Sequence, residues 1–329
     1  MKIVIMGAGA IGSLYGGMLG LAGGSEVILV GRRPHVEAIR RGGLKFKGVL
    51  GDRAVRLKAI DDPRQITQAD FVFITTKTYD TLTAASRVRH LADSGAYIVV
   101  LQNGLGTEKE VENALSTTRV LRATTCMGAL VTRPGEITVT GQGLTEIGSH
   151  HVENVDAVEQ VAELLRHAGF EVKTSDNIDG VVWTKTIVNC GVNPVGALTG
   201  LTNGEVYSNK ALRGLVLRLV KEAAKVADGL GVKLTTDDPV RYTLGTAKAT
   251  GANVNSMLQD IRARKKTEID SITGEVIRLA HELGIETPAS EAVCALVKAL
   301  ELQYLRSTGS RGAAESTSFD EVTEATTSS

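Results

Sequence analysis

A surplus of charge is the first thing this chain lacks. Its 329 residues carry 37 Lys+Arg against 37 Asp+Glu, a formal net charge of zero. Binders of duplex DNA or RNA normally carry a basic excess, so the composition argues against a nucleic-acid partner. It leaves room for a local basic pocket that holds a phosphate. Cysteine is scarce as well. Cys126, Cys190 and Cys294 are too few and too scattered for a disulfide framework or a zinc site, and a reducing cytoplasm is the expected compartment. The six histidines (His35, His90, His150, His151, His167, His281) show no metal-ligand spacing, so no metal is expected. No uninterrupted apolar run approaches the roughly 18 residues that a membrane span needs, so no membrane association is expected. A nucleophile elbow for a Ser-His-Asp hydrolase is missing. So are an internal repeat and a coiled-coil heptad.

What is present is ordinary in amount and informative in arrangement. Apolar residues make up 43% and charged residues 22%, as in soluble globular proteins. The length suggests two domains. Lys2 to Met6 reads as a buried strand that enters a Gly-rich turn, a better account of the start than a signal peptide. Ile11 to Leu21 reads as a helix and Glu26 to Val30 as the second strand. Phe71–Thr75, Tyr97–Leu101 and Val120–Thr125 read as three more buried strands, the first two introduced by Asp70 and Gly95. Glu136–Thr140 and Leu144–Gly148, joined through Gly141-Gln142-Gly143, read as a hairpin. A helix follows from about Asn154 to Ala168, then a short strand at Phe170–Lys173.

After Asn177 strand signals nearly vanish. Asp179 can cap a helix that Asn193-Pro194 breaks. Lys210 to Ala227 has helical apolar spacing, ended by Gly229 and Gly231. Ser256 to Leu283 reads as one long helix or two, closed by Gly284 and Pro288. Ser290 starts a last helix that ends near Leu305. The expected fold is an α/β Rossmann-type dinucleotide-binding domain over 1–176, followed by an all-helical C-terminal domain over 177–306. Residues 307–329, rich in Ser, Thr, Gly, Ala and Glu, are expected to be a disordered tail.

Gly7-Ala8-Gly9-Ala10-Ile11-Gly12 is a G-x-G-x-x-G between a strand and a helix. A tight turn, a close approach of backbone to pyrophosphate, and tight helix–strand packing each require a residue without a side chain. The helix N-terminus supplies N–H groups for the phosphates. At the end of the second strand, an acidic residue would bind the ribose hydroxyls of NAD. Here the chain reads Val30-Gly31-Arg32-Arg33, and Arg32 suits the 2′-phosphate of NADP. Arg33 reads as inert. Lys77 and Asn103 follow the next two strands, at the carboxyl edge where ligands of open sheets lie.

Further along, Lys185 and Asn189 share a helix face, with Asn193 one turn on. Reducing a ketone takes a proton donor beside the carbonyl oxygen, and a lysine ammonium can both donate and stabilise the alkoxide. Neutral amides can bind substrate hydroxyls. A third cluster, Asn253, Ser256 and Asp260, runs on to Glu268 in what reads as one helix. Ser256 and Asp260 share a face of it, and Glu268 lies further along.

Taken in order, these motifs resemble the ketopantoate reductases (2-dehydropantoate 2-reductases). The resemblance rests on the Gly7–Gly12 turn, Gln102-Asn103-Gly104-Leu105-Gly106, Trp183-x-Lys185-x-x-x-Asn189-x-x-x-Asn193-Pro194, Asn203-Gly204-Glu205, Asn253-x-x-Ser256-Met257-Leu258-Gln259-Asp260-Ile261-Arg262 and Thr267-Glu268-Ile269-Asp270. It covers nearly everything but the tail. It implies a Rossmann-type domain and a helical domain with the site in the cleft between them. It also implies NADPH-dependent reduction of 2-dehydropantoate to pantoate, on the route to pantothenate and coenzyme A. Lys185 would be the general acid. Asn189, Asn193, Asn203 and Ser256 would bind the substrate, with Asn103 nearby. Glu268 would orient the substrate or contact the cofactor. Gly7, Ala8, Gly9, Ala10, Ile11, Gly12, Arg32, Lys77 and Asn103 would hold NADPH. Asp260 reads as structural, paired with a neighbouring arginine, and the run Arg262, Arg264, Lys265, Lys266 as a solvated helix face. A small-molecule 2-oxo acid is the expected partner, with a homodimer through the helical domain as a possible assembly. Two other readings stay open: a reductase of a different 2-oxo acid, and a non-catalytic NADP(H) sensor.

Overall fold

A computed structural model describes residues 1–309 of the chain, with side chains through 305. The first half alternates strands and helices. β1 (Lys2–Met6), α1 (Ala10–Ala22), β2 (Glu26–Val30) and α2 (Arg33–Gly42) lead into β3 (Leu44–Gly48), β4 (Arg53–Val55) and β5 (Lys58–Ile60). Then come β6 (Phe71–Ile74), α3 (Thr81–Asp93), β7 (Tyr97–Val100), α4 (Thr107–Leu115) and β8 (Val120–Thr125). β9 (Gly128–Arg133), β10 (Glu136–Gly141), β11 (Thr145–Gly148), α5 (Val155–His167) and β12 (Val172–Thr174) complete it.

Eight of these strands form one sheet, in the order β12-β11-β8-β7-β6-β1-β2-β5. All its pairings are parallel except that of β11 with β8. A parallel sheet is covered on both faces, which is why its strands lack polar alternation. In β1, Ile3 and Ile5 enter one apolar cluster and Val4 and Met6 the other. β1 lies between β2 and β6, so chain direction across the sheet reverses beside it. That reversal opens a crevice at the carboxyl ends of β1 and β6.

The expected hairpin between 136–140 and 144–148 does not form. β10 turns back on β9 through Pro134-Gly135 and also pairs parallel with β3, in a separate four-stranded sheet β4-β3-β10-β9. β11 instead joins the large sheet. A Pro-Gly pair is a turn signal as strong as the Gly-Gln-Gly used for the expectation.

Among the described residues beyond 177, every regular element is helical. α6 (Ile178–Thr199), α7 (Asn203–Ser208), α8 (Lys210–Gly229) and α9 (Pro239–Ala249) are followed by α10 (Ser256–Arg262), α11 (Glu275–Glu282) and α12 (Pro288–Gly309). The tail expected from 307 starts later: α12 runs on through Gly309, and from residue 310 onward the tail lies outside the described residues. α6 is the axis, packed on by α8, α9, α10 and α12. It is capped by Asn177, whose Oδ1 accepts from the Gly180 N–H at 3.1 Å, and not by Asp179. Pro194 does not break it. The helix continues to Thr199 with Pro194 buried inside. Burial on nearly all sides outweighs the hydrogen bond that Pro194 cannot donate to the Cys190 carbonyl.

The long helix expected from Ser256 also corrects itself. α10 stops at Arg262 in a Schellman motif. The Lys265 N–H donates to Asp260 O at 2.9 Å and the Arg264 N–H to Ile261 O at 2.9 Å, with Arg264 at φ 51°. No glycine announces this stop. A π-helical turn, Asp270–Gly274, then leads into α11. No described helix is long and apolar enough to cross a membrane.

Candidate active site

At the carboxyl end of β1 the backbone turns at Gly7, whose φ of +113° favours glycine. The N–H groups of Gly7 and Ala8 both donate to Val30 O, at 3.0 and 2.8 Å, tying the turn to β2. A side chain at Gly12 would overlap Gly7 O and Thr75 Oγ1, so this glycine sets helix–strand packing. Gly9 differs. The nearest atom to a Cβ there is 3.9 Å away, so its open side faces no protein. Gly9 is also the N-cap of α1, with no side-chain cap and no acidic residue in the first turn. Free N–H groups beside an open approach fit a dinucleotide pyrophosphate. Arg32 is exposed at the N-cap of α2, just past β2. Arg33 is taken up by Glu37 at 2.8 Å.

Five charged and amide side chains from both halves of the chain form one continuous network. Lys185 Nζ, on α6, donates to Asn103 Oδ1 at 2.9 Å. Asn103 Nδ2, in the loop after β7, donates to Glu268 Oε2 at 3.2 Å. Lys77 Nζ, after β6, lies 3.5 Å from the same Glu268 Oε2 and 2.5 Å from Asp260 Oδ2. Glu268 Oε1 accepts from the Thr78 N–H at 3.2 Å and from Thr78 Oγ1 at 3.4 Å. An ammonium can only donate and a carboxylate only accept, so the Asn103 amide has its orientation forced. Asp260 therefore pairs with Lys77 across the cleft, not with a neighbouring arginine. Glu268 sits beyond the end of α10 and not along it.

The environment shifts these groups. Burial pushes the Lys185 ammonium below the ordinary lysine value. Arg122 adds to that, while Cys126, Glu268 and Glu146 oppose it. Burial also acts on Lys77, but Glu268 and Asp260 outweigh it and hold Lys77 above the ordinary value. Burial raises the Asp260 carboxyl against the pull of Lys77.

The other expected residues do not join this network. Asn189 and Asn193 extend the Lys185 face of α6 by one and two turns, Asn193 being buried. Ser256 opens α10, whose N-cap Asn255 crosses α6 where Gly196 has no side chain to meet it. Asn203 donates to Thr250 Oγ1 at 2.9 Å, and its Oδ1 is buried with no partner. Its motif has a structural account. Gly204 lets the backbone at Gly251 approach, and Glu205 completes a capping box with Thr202. In the basic run, Arg262 donates to Gly200 O at 2.9 Å and Lys266 stacks over Tyr79.

Sequence reasoning missed three contributors. Thr78 holds Glu268 and also meets Ser271 Oγ at 2.6 Å. Ser271 O accepts from the Leu105 N–H at 3.2 Å, where Gly104 leaves room for it. The π turn that presents Ser271 is a device common at functional sites. Arg122, fully buried in β8, holds the Asn103 loop from beneath. Its signal was a lone arginine inside an otherwise buried strand.

A G-x-G-x-x-G turn at the switch point of a mainly parallel sheet, together with a half-buried lysine that the helical half sends to the loop after β7, defines a Rossmann-type dinucleotide-dependent oxidoreductase. Comparison with known proteins narrows the class. The family profile of ketopantoate reductase PanE/ApbA matches residues 3–151, and that of its C-terminal domain matches residues 177–301. The chain is 38% identical over 301 residues to a 2-dehydropantoate 2-reductase of Pyrococcus horikoshii, covering 92% of this chain and 98% of that one. A PanE/ApbA family ketopantoate reductase structure from Ralstonia eutropha superposes with a TM-score of 0.85 at 34% identity, covering 93% and 100%. D-mandelate dehydrogenase, solved with NADH and anilino(oxo)acetate, superposes with a TM-score of 0.86 at 27% identity, covering 93% and 99%. The chain belongs to the ketopantoate reductase family.

Proposed function

We propose that this protein reduces the C2 ketone of 2-dehydropantoate to (R)-pantoate with NADPH, in the cytoplasm. The observation that carries the reading is the half-buried Lys185 ammonium, bridged by Asn103 to Glu268 at the carboxyl edge of the sheet. A nucleotide-binding domain over 1–176 and a substrate domain over 177–306 would face each other across it. NADPH, held by the Gly7–Gly12 turn, Arg32, Lys77 and Asn103, would supply the hydride. Lys185 gives the ketone oxygen its proton, and its charge stabilises the oxygen as negative charge develops. Asn103 takes one of the three ammonium N–H bonds and so aims the other two. Glu268 fixes Asn103 and closes the site from behind. Asn189, Asn193, Asn203 and Ser256 receive the substrate's hydroxyl and carboxylate. A homodimer through the helical half accompanies this reading.

A reductase of another 2-oxo acid is the second reading, favoured by the likeness to a D-mandelate dehydrogenase over nearly the whole chain. The test is NADPH oxidation with 2-dehydropantoate, with benzoylformate and other 2-oxo acids alongside and NADH in parallel. The expected result is a kcat/KM highest for 2-dehydropantoate with NADPH. A far higher value for another oxo acid overturns the substrate, and preference for NADH overturns the role of Arg32. Lys185→Ala should lose about 10²-fold or more in kcat while keeping NADPH affinity. Undiminished turnover would refute the acid assignment.

A further inference from the structure

Arg122 is the largest fully buried side chain among the described residues, at 1% exposure. It stands in β8, whose six residues are all buried and where an aliphatic chain would satisfy the sheet. A buried ion pair often costs more than apolar residues of similar volume, so this arginine calls for a reason. All but one of its guanidinium contacts fall on the stretch 100–108. Nη1 donates to the carbonyls of Val100 at 3.1 Å, Gln102 at 2.8 Å and Ala123 at 2.9 Å. Nη2 donates to Gly104 O at 2.9 Å, and Nε lies 2.9 Å from Glu108 Oε2 in the first turn of α4. The ladder between β7 and β8 ends at Val100 and Arg122. Past that point the carbonyls of Gln102 and Gly104 have left the sheet and need donors. A planar fork supplies them in fixed geometry, where water would supply them in a mobile one.

The two pinned carbonyls lie on either side of Asn103. We propose that Arg122 is a positioning residue: by fixing the peptide groups that flank Asn103, it sets the amide that aims the Lys185 ammonium. The proposal rests on the reductase reading for its catalytic consequence. The Arg122 charge also acts on Lys185 directly, in the same direction as burial and against Cys126, Glu268 and Glu146. Glu108 offsets part of the Arg122 charge at the far side.

Two substitutions separate the fork from the charge. Arg122→Met should weaken NADPH binding far less than it lowers kcat, which should fall about tenfold or more through misplacement of Lys185, and should move the alkaline limb of the kcat profile to higher pH. Arg122→Lys, which keeps the charge and loses the fork, should lower kcat with that limb in place. Should Arg122→Met fail to fold because Glu108 is left unpaired, the double variant Arg122→Met/Glu108→Gln carries the same expectation with a smaller limb shift. Wild-type kcat and an unmoved limb in the folded variants would overturn the proposal. So would an equal loss of kcat and NADPH affinity with the limb unmoved, the mark of a merely structural role. A readout independent of turnover is the Asn103 side-chain amide resonance in 15N-labelled protein. If wild type oxidises NADPH with no oxo acid, the reductase reading fails, and this resonance alone decides the proposal. A displaced or broadened Asn103 amide in both Arg122→Met and Arg122→Lys supports it, and an unchanged one overturns it.

Discussion

Asn103 gains its meaning from its neighbours. With Lys185 on one side and Glu268 on the other, its amide can face only one way. Glu268 thus acts on Lys185 twice, by fixing Asn103 and by its charge, which raises the Lys185 ammonium against burial. In the proposed mechanism the acid form is needed for turnover, and it is lost as pH rises through the lowered Lys185 value. Removing a negative neighbour lowers that value further. Glu268→Gln should therefore shift the alkaline limb of kcat to lower pH as well as reduce kcat. An upward or absent shift, read from a pH–rate profile, would show that the carboxylate does not act on Lys185.

Elements expose where local signals stop. The turn Gly7–Gly12, the buried strands of the large sheet and the shared face of Lys185, Asn189 and Asn193 were legible, because period and turn chemistry act over a few residues. Pairing was not. Glu136–Gly141 alternates as a hairpin strand should, but its partner lies before it in sequence, across Pro134-Gly135. The end of α10 was hidden for a different reason. Its left-handed residue is Arg264 rather than glycine, so Asp260 and Glu268 read as one helix when they are separated by a turn. Their meeting at Lys77 depends on that turn. An L side chain in this conformation costs about 1 kcal/mol or more. Arg264→Gly should accordingly stabilise the protein by ~0.5–1 kcal/mol, seen as a higher urea midpoint. A lower midpoint would mean that the Arg264 side chain makes a contribution of its own.

On the scale of the whole molecule, the α/β and helical halves meet at more than the charged network. A second ion pair between them lies at the start of α6, where His150 Nε2 meets Asp179 Oδ1 at 2.9 Å. Asp179 raises His150, and His150 lowers Asp179. The histidine's share of stability is present below its unfolded pKa and is lost as pH rises through the raised one. The aspartate's share is present above its unfolded pKa and is lost as pH falls through the lowered one. The pair therefore works on the acid side of neutrality, between the two. With side chains 31% and 60% exposed, it is worth no more than about 1 kcal/mol. Asp179→Asn should lower the unfolding midpoint slightly near pH 5.5, within about one unit of the ordinary histidine value, and leave it unchanged well above neutrality. An equal loss at both pH values would assign the effect to packing.

The active-site network has a further consequence for release. Lys185 and Lys77 are positive, Glu268 and Asp260 negative, so the line is neutral while Lys185 holds its proton. Once that proton had gone to the product, the same four groups would carry one surplus negative charge, matched by the positive charge that hydride loss would leave on the nicotinamide. Reprotonation of Lys185 from solvent would then leave the site one charge more positive until the oxidised cofactor departs. Reloading the acid and exchanging the cofactor would thus be linked by a single proton.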